Sequence, residues 1–234
     1  MLHVPETGST NADLRTLAEA GGEDGLWLRA DRQYAGRGRQ GRDWASPIGN
    51  FYGSTLVRLR SGDPMPATLA LVAAVAIEEA VRFCLPSLGD RLFLKWPNDL
   101  LIEGAKLSGI LLERVGDAVV IGMGINIAAA PELPDRATTA LAVYGAAVDP
   151  AVMQGLLADA MRQWVATWRG QGLGPVMAAW EARAHPRGTP LTARLPDGRV
   201  VDGVFDGLGA DGALRLGLAD GGSAVIHAGD VFLI

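Results

Sequence analysis

The sequence predicts an α+β protein in which a mixed β-sheet flanked by helices is followed by a small β-barrel. Three observations predict it. Between Arg91 and Asn126 apolar segments succeed one another across two-residue turns, the pattern of adjacent antiparallel strands. Long stretches of helical periodicity lie before and after them. From Arg187 the texture changes to short apolar runs separated by turn clusters, as in a small barrel.

In chain order, Ser9 to Gly21 reads as a first helix, capped by Ser9 or Thr10, with Leu14, Leu17 and Ala18 on one face and Gly21-Gly22 ending it. Gly25 to Ala30 and Phe51 to Leu59 read as strands. Pro66 to Leu85 is an Ala/Val/Leu helix apolar around most of its circumference, so it should be buried. Leu92 to Trp96, Leu100 to Ile102, Leu107 to Arg114 and Ala118 to Ile125 form the sheet centre, with turns at Glu103-Gly104 and Gly116-Asp117. Pro150 to Arg169 and Leu173 to Ala184 return to helix, separated by Gly170 and Gly172. These place a main domain at 1–184 and a barrel of four or five strands at 187–234.

With 234 residues the chain can bury a sizeable core without a covalent staple. One cysteine, Cys84, excludes an internal disulfide, fits a reducing compartment and points to the cytoplasm. The three histidines show no metal-ligand spacing, so no protein-only metal cluster is expected. A net charge of -5 argues against broad nucleic-acid binding, and no apolar run is long enough to span a membrane.

The most informative stretch is Gly36-Arg-Gly-Arg-Gln-Gly-Arg42, followed by Asp43-Trp44. Three glycines free the backbone to wrap an anion while three arginines supply fixed charge, which suits a polyphosphate or a carboxylate. The run also matches G-x-G-x-x-G, but Pro47 and Gly49 deny it the helix that a dinucleotide fingerprint needs. The match is accidental.

Four segments, in order and spacing, resemble the biotin-protein ligases: Ser9-Thr-Asn11, the loop from Gly36 to Trp44, Lys95-Trp-Pro-Asn-Asp99 with Lys106-Leu-Ser-Gly109, and Gly122-Met-Gly-Ile-Asn126. The resemblance runs over nearly the whole chain. It implies a sheet related to class II aminoacyl-tRNA synthetases and lipoate ligases, with a C-terminal SH3-like barrel. It implies that biotin and ATP, with Mg²⁺, give biotinyl-5′-AMP, and that a lysine of the biotin carboxyl carrier protein of acetyl-CoA carboxylase or a similar enzyme then takes the biotin. Some relatives carry a DNA-reading helix-turn-helix before this region; only eight residues precede Ser9 here, so a monofunctional enzyme without DNA binding is expected. Monomers and homodimers both occur in the family, and the residues leave that open.

The resemblance assigns roles residue by residue. Ser9, Thr10 and Asn11 are expected to bind the ureido head of biotin, with Gln33, Arg37 and Gly38 also contacting biotin. Arg39 and Lys106 are the expected catalytic pair, meeting the biotin carboxylate and the α-phosphate. Arg42, Trp44, Asn98 and Asn126 are expected to serve ATP, Trp44 by folding over the ligand. Asp99 is expected to orient a loop arginine, Lys95 to be structural, and Gly109 and Gly124 to leave room for ligand. Two alternatives stand beside this reading: a lipoate or other acyl ligase of the same superfamily, and a non-catalytic biotin or nucleotide sensor.

Overall fold

The computed structural model describes residues 1–233, and its main body is a seven-stranded sheet. Strand β1 (Leu2–Thr7) pairs in parallel with β2 (Trp27–Gln33), and helix α1 (Thr10–Glu19) makes the crossover between them. All other pairs are antiparallel, through β3 (Phe51–Arg58), β4 (Leu92–Lys95), β5 (Asp99–Ile102), β6 (Ala105–Val115) and β7 (Ala118–Ile125), in the order β1-β2-β3-β7-β6-β5-β4. The antiparallel centre matches the sequence reading.

Strand β1 was not expected from the sequence. Its residues are mostly exposed and include Pro5, which an edge strand tolerates because one side of its ladder is unpaired. Strand β2 also runs three residues beyond the expected Ala30, which carries Gln33 to the end of the strand beside α1.

Two apolar layers hold the sheet. On one face, Leu14 and Ala18 of α1 pack against Leu28, Leu56, Ala118 and Val120. On the other lie α2 (Leu69–Cys84), α3 (Pro150–Gln171) and α4 (Leu173–Glu181). Helix α2 is buried around its circumference up to its last turn, where Phe83 is exposed, as its continuous apolar sequence requires, and its one fully buried charge, Glu78, is met by Arg82 and Arg183. Pairing of this kind is what makes a buried carboxylate tolerable.

The C-terminal strands β8 (Pro190–Arg194), β9 (Val200–Leu208), β10 (Leu214–Gly217), β11 (Ser223–Ile226) and β12 (Asp230–Leu233) form a second antiparallel sheet, ordered β11-β10-β9-β8-β12. Leu191, Ala193, Phe205, Leu214, Leu216, Ile226 and Val231 are buried within it, as expected of a small barrel-like unit. Those side chains are continuous with the main core through Trp180 of α4, so this unit is packed onto the larger sheet rather than tethered to it. Trp96 Nε1 donates to the Gly212 carbonyl at 3.1 Å and adds a polar tie. The docking brings the start of β12 to the open face of β4 and β5.

Candidate active site

A pocket opens over the centre of the large sheet, between the end of α1, the loop that follows β2, and the start of β12. Its floor is made of glycines on neighbouring strands. Gly109 on β6 and Gly124 on β7 face each other in register, and Gly122 lies two residues before Gly124. A Cβ on Gly124 would stand 2.5 Å from the Trp44 ring, one on Gly109 2.9 Å from it, and one on Gly122 2.3 Å from Asn11 Oδ1. The space expected to receive ligand directly against Gly109 and Gly124 is therefore filled by the Trp44 indole, which becomes the inner wall of the pocket.

The arginine loop is a compact turn. Gly38 N–H donates to the Arg42 carbonyl at 2.7 Å and Trp44 N–H to the Gly36 carbonyl at 3.0 Å. Gln40 takes a left-handed φ of 57° at the tip, between Arg39 and Gly41. This geometry sends the three arginines in different directions. Arg37 is half exposed and pairs with Asp43 on the loop itself. Arg39 and Arg42 reach across to the barrel: Arg42 pairs with Asp230, and Arg39 Nη2 donates to the Gly229 carbonyl at 3.1 Å with Asp230 3.8 Å away. Arg39 Nη1 also reaches Asn98 Oδ1 at 3.4 Å. Burial lowers the Arg39 pKa, opposed by the charges of Asp230 and Asp99.

Opposite the loop, Lys106 Nζ stands 2.6 Å from Asp99 Oδ1 and Lys95 Nζ 3.3 Å from Asp99 Oδ2. Burial alone would raise the Asp99 pKa; the Lys106 and Lys95 charges outweigh it and hold the carboxyl below its ordinary value. Burial pushes the Lys95 ammonium down, with Asp99 opposing. Lys106 also lies 5.6 Å from the Trp44 ring centroid, so its ammonium is on the same side of the sheet as the loop.

One expectation about this cluster is corrected: Asp99 does not orient a loop arginine; it holds the two lysines, and Asn98 and Asp230 hold Arg39. Lys95, expected to be structural, donates to the Val231 carbonyl at 2.8 Å and also lines the pocket.

At the other end the pocket narrows onto Ser9, Thr10, Asn11 and Gln33. Ser9 occupies the N-cap position, one of the two expected, in an extended conformation but without a side-chain cap bond, and Thr10 Oγ1 contacts Gln33 Oε1 at 3.1 Å. Thr10 N–H donates to the same Gln33 oxygen at 2.8 Å. Thr10 and Asn11 are buried, Ser9 and Gln33 half-buried, and Thr10 is bonded to Gln33; a polar end of this kind suits recognition of a neutral polar group.

Asn126 donates through Nδ2 to the Thr139 carbonyl at 3.1 Å, while its Oδ1 is buried without a partner. Trp44 Nε1 is likewise a buried donor left open. Unsatisfied polar atoms inside a lined pocket mark places where a ligand completes the bonding. The segment beyond Asn126 is shaped by Asn50, whose Oδ1 accepts from the backbone of Ile127, Ala128 and Ala129. It brings Arg136 to the pocket wall, paired with Asp135 at 2.5 Å.

Every residue expected at the site from the sequence lines this one pocket. Sequence reasoning missed Asp230, Arg136 and Asn50. Asp230 follows the arginine loop by nearly the whole chain, and no local pattern links them. Among the described residues, no group of three or more His, Cys, Asp or Glu side chains could hold a metal ion.

Comparison with known proteins agrees with the geometry. Residues 7–126 match the model of the biotin/lipoate A/B protein ligase family. The biotin--[acetyl-CoA-carboxylase] ligase of Paracoccus denitrificans is 41% identical, with 98% of each chain covered. Among solved structures, the biotin protein ligase of Aquifex aeolicus in complex with biotin and ATP superposes with a TM-score of 0.85 at 24% identity, covering 100% of this chain and 99% of its own. The Leishmania major biotin protein ligase in complex with biotinyl-5-AMP gives a TM-score of 0.68 at 27% identity, covering 97% of each chain.

Proposed function

The chain belongs to the biotin/lipoate A/B protein ligase family, and we propose that its pocket activates biotin with ATP and passes the acyl group to a lysine of a biotin carboxyl carrier protein. It is a biotin--[acetyl-CoA-carboxylase] ligase. In the first step a carboxylate oxygen of biotin attacks the α-phosphorus of ATP and pyrophosphate leaves, giving biotinyl-5′-AMP. In the second the carrier lysine, as a free amine, attacks the acyl carbon and AMP departs.

Both steps bring negative charge together at one point, so the protein's task is to supply positive charge that is already in place. Lys106 and Arg39 provide it from opposite walls, one from strand β6 and one from the loop. The observation that carries this reading is that the Lys106 ammonium and the arginine loop face the same cavity, with the Trp44 ring between the loop and the glycine floor. Ser9, Thr10, Asn11 and Gln33 take the ureido head; Arg37 and Gly38 flank biotin from the loop. Arg42 faces the triphosphate together with Arg39, Asn98 holds Arg39 in position, and the open Asn126 Oδ1 accepts from the nucleotide.

Magnesium, expected with ATP, finds no protein-only carboxylate cluster among the described residues. The carboxylates that line the pocket, Asp43, Asp99, Asp135 and Asp230, are each paired with lysine or arginine. It would therefore arrive on the triphosphate, and no step is assigned to it. We read the chain's location as cytoplasmic, a reading that the lone cysteine, Cys84, supports because it suits a reducing compartment. No described helix is long and apolar enough to cross a membrane.

The test is biotin-dependent exchange of labelled pyrophosphate into ATP, with wild type and Lys106→Ala compared. Exchange should be present in the wild type and fall by at least about a hundredfold in the variant. Equal rates would remove Lys106 from the mechanism.

A further inference from the structure

Glu113, on strand β6 beyond the pocket lining, is the residue that fixes which way the polar end of the pocket points its protons. Asn11 Nδ2 donates to Glu113 Oε2 at 2.8 Å, with only a long second contact of 3.5 Å to the Leu111 carbonyl. An ionised carboxylate can only accept, so the amide cannot turn over without setting oxygen against oxygen. Asn11 Oδ1 is thereby held toward Ser54, whose hydroxyl lies 2.6 Å from it and 2.8 Å from Thr10 Oγ1. Thr10 Oγ1 in turn lies 3.1 Å from Gln33 Oε1, an oxygen already accepting from Thr10 N–H.

The proton count is decisive. Three oxygen–oxygen contacts, Asn11–Ser54, Ser54–Thr10 and Thr10–Gln33, are served by two hydroxyl protons, those of Ser54 and Thr10. One contact must lack a donor. Ser54 is fully buried, and Thr10 and Asn11 are 3% and 4% exposed, so a further donor can reach these oxygens only from the pocket that Thr10 and Asn11 line. Had Asn11 turned its amide nitrogen toward Ser54, there would be no shortage. Glu113 forbids that.

We propose that Glu113 acts as a positioning residue that keeps this end of the pocket short of donors, and so selects an acid whose head group carries N–H bonds over one that lacks them. The inference rests on biotin being the acid, since a ureido ring supplies two such N–H groups. A site built to bond polar hydrogens rejects an analogue lacking one far more strongly than an apolar pocket rejects a change of size.

Arg15 makes the test specific. Its Nη1 holds the other carboxylate oxygen of Glu113 at 3.1 Å. In Glu113→Gln, which keeps the shape, the single amide oxygen is drawn to the Arg15 cation, and the new NH₂ group faces Asn11 and drives it to turn. In Arg15→Ala/Glu113→Gln the oxygen is free to serve Asn11 again. The experiment measures equilibrium binding of biotin and of its cyclic carbamate analogue, in which one ureido N–H is replaced by oxygen, to wild type and both variants.

Wild type should prefer biotin. Glu113→Gln should weaken biotin by about tenfold and narrow the ratio of the two affinities by at least about fivefold, and the double variant should recover most of that ratio. The KM for ATP should be unchanged in both. A ratio unmoved in Glu113→Gln, or one that narrows and is not recovered in the double variant, overturns the proposal. A wild type that binds no biotin at all overturns the functional reading itself.

Discussion

Replacing Gly124 by alanine tests whether the Trp44 indole is a working wall of the pocket. Gly124 does not occupy the left-handed region of backbone space, so a β-strand alanine fits its backbone without strain. The added methyl carbon would stand 2.5 Å from two ring carbons of Trp44 and 2.7 Å from Nε1. Carbon atoms settle at about 3.5–4.0 Å, so the ring must retreat by about 1 Å. The ring is hung on a surface loop and can move, whereas the strand, hydrogen-bonded to β3 and β6 on both sides, cannot. A displacement of about 1 Å at a reacting centre costs about a hundredfold in rate, equivalent to about 2.7 kcal/mol on the barrel-side loop's placement of Arg39 against Lys106. Pyrophosphate exchange should therefore fall by about that factor in Gly124→Ala, while the melting temperature stays within a few degrees of wild type. Tryptophan emission would register the shift of the ring. If kcat/KM stays within threefold of wild type and the emission is unmoved, Trp44 is not a wall of the site and the reasoning fails.

Two more predictions address the barrel and the junction. Asp230→Asn removes the one carboxylate that Arg39 and Arg42 share; freed of it, the loop should hold ATP less well, with its KM rising about tenfold while biotin binding measured without ATP changes by less than threefold. An unchanged KM would show that the barrel does not position the loop. His185 stacks on Phe93 at 4.7 Å with its Nε2 buried and unpartnered, and burial, followed by the charge of Lys95, depresses its pKa below the ordinary 6.5. As pH falls through 6.5 the unfolded chain takes up this proton first, so the stability present above that pH is lost progressively toward the depressed value, at up to about 1.4 kcal/mol per pH unit. His185→Phe should keep the stack and flatten urea-unfolding stability between pH 6.5 and 5; an equally steep profile would acquit His185.

What the sequence made legible was whatever has a short-range cause. Helix α2 could be read because an all-round apolar surface has one stable outcome, burial on every side. The β4 to β7 meander could be read because its turns are only two or three residues long. The arginine loop and Lys106 were legible from residue type and spacing. Strand β1 was not, because it is an exposed edge whose only sheet partner is reached by crossing α1. The N-cap position of Ser9 was legible, but not that its side chain makes no cap bond, nor that Thr10 is claimed by Gln33, 23 residues away, which no local propensity contains. Asp230 sits 188 residues from Arg42 and becomes its partner only when the C-terminal sheet docks through Trp180 and Trp96.

That docking explains how the site tolerates its own charge before any ligand arrives. Arg37 and Arg136 each have a carboxylate of their own, Asp43 and Asp135; the other four cations of the pocket, Lys95 and Lys106 on one wall and Arg39 and Arg42 on the other, are answered by two, Asp99 between the lysines and Asp230 between the arginines. Each carboxylate holds its pair in place but neutralises only half of it, leaving about two positive charges unspent in a partly dehydrated cleft, where like charges repel more strongly than in water. An acid and a polyphosphate entering together relieve that repulsion, and the ligand's charge does not need to break Asp99 or Asp230 away first. The two carboxylates therefore act as spacers that keep the cations aimed at one point. Removing either should be more harmful to catalysis than to folding, because its two cations then repel one another unopposed and swing out of aim.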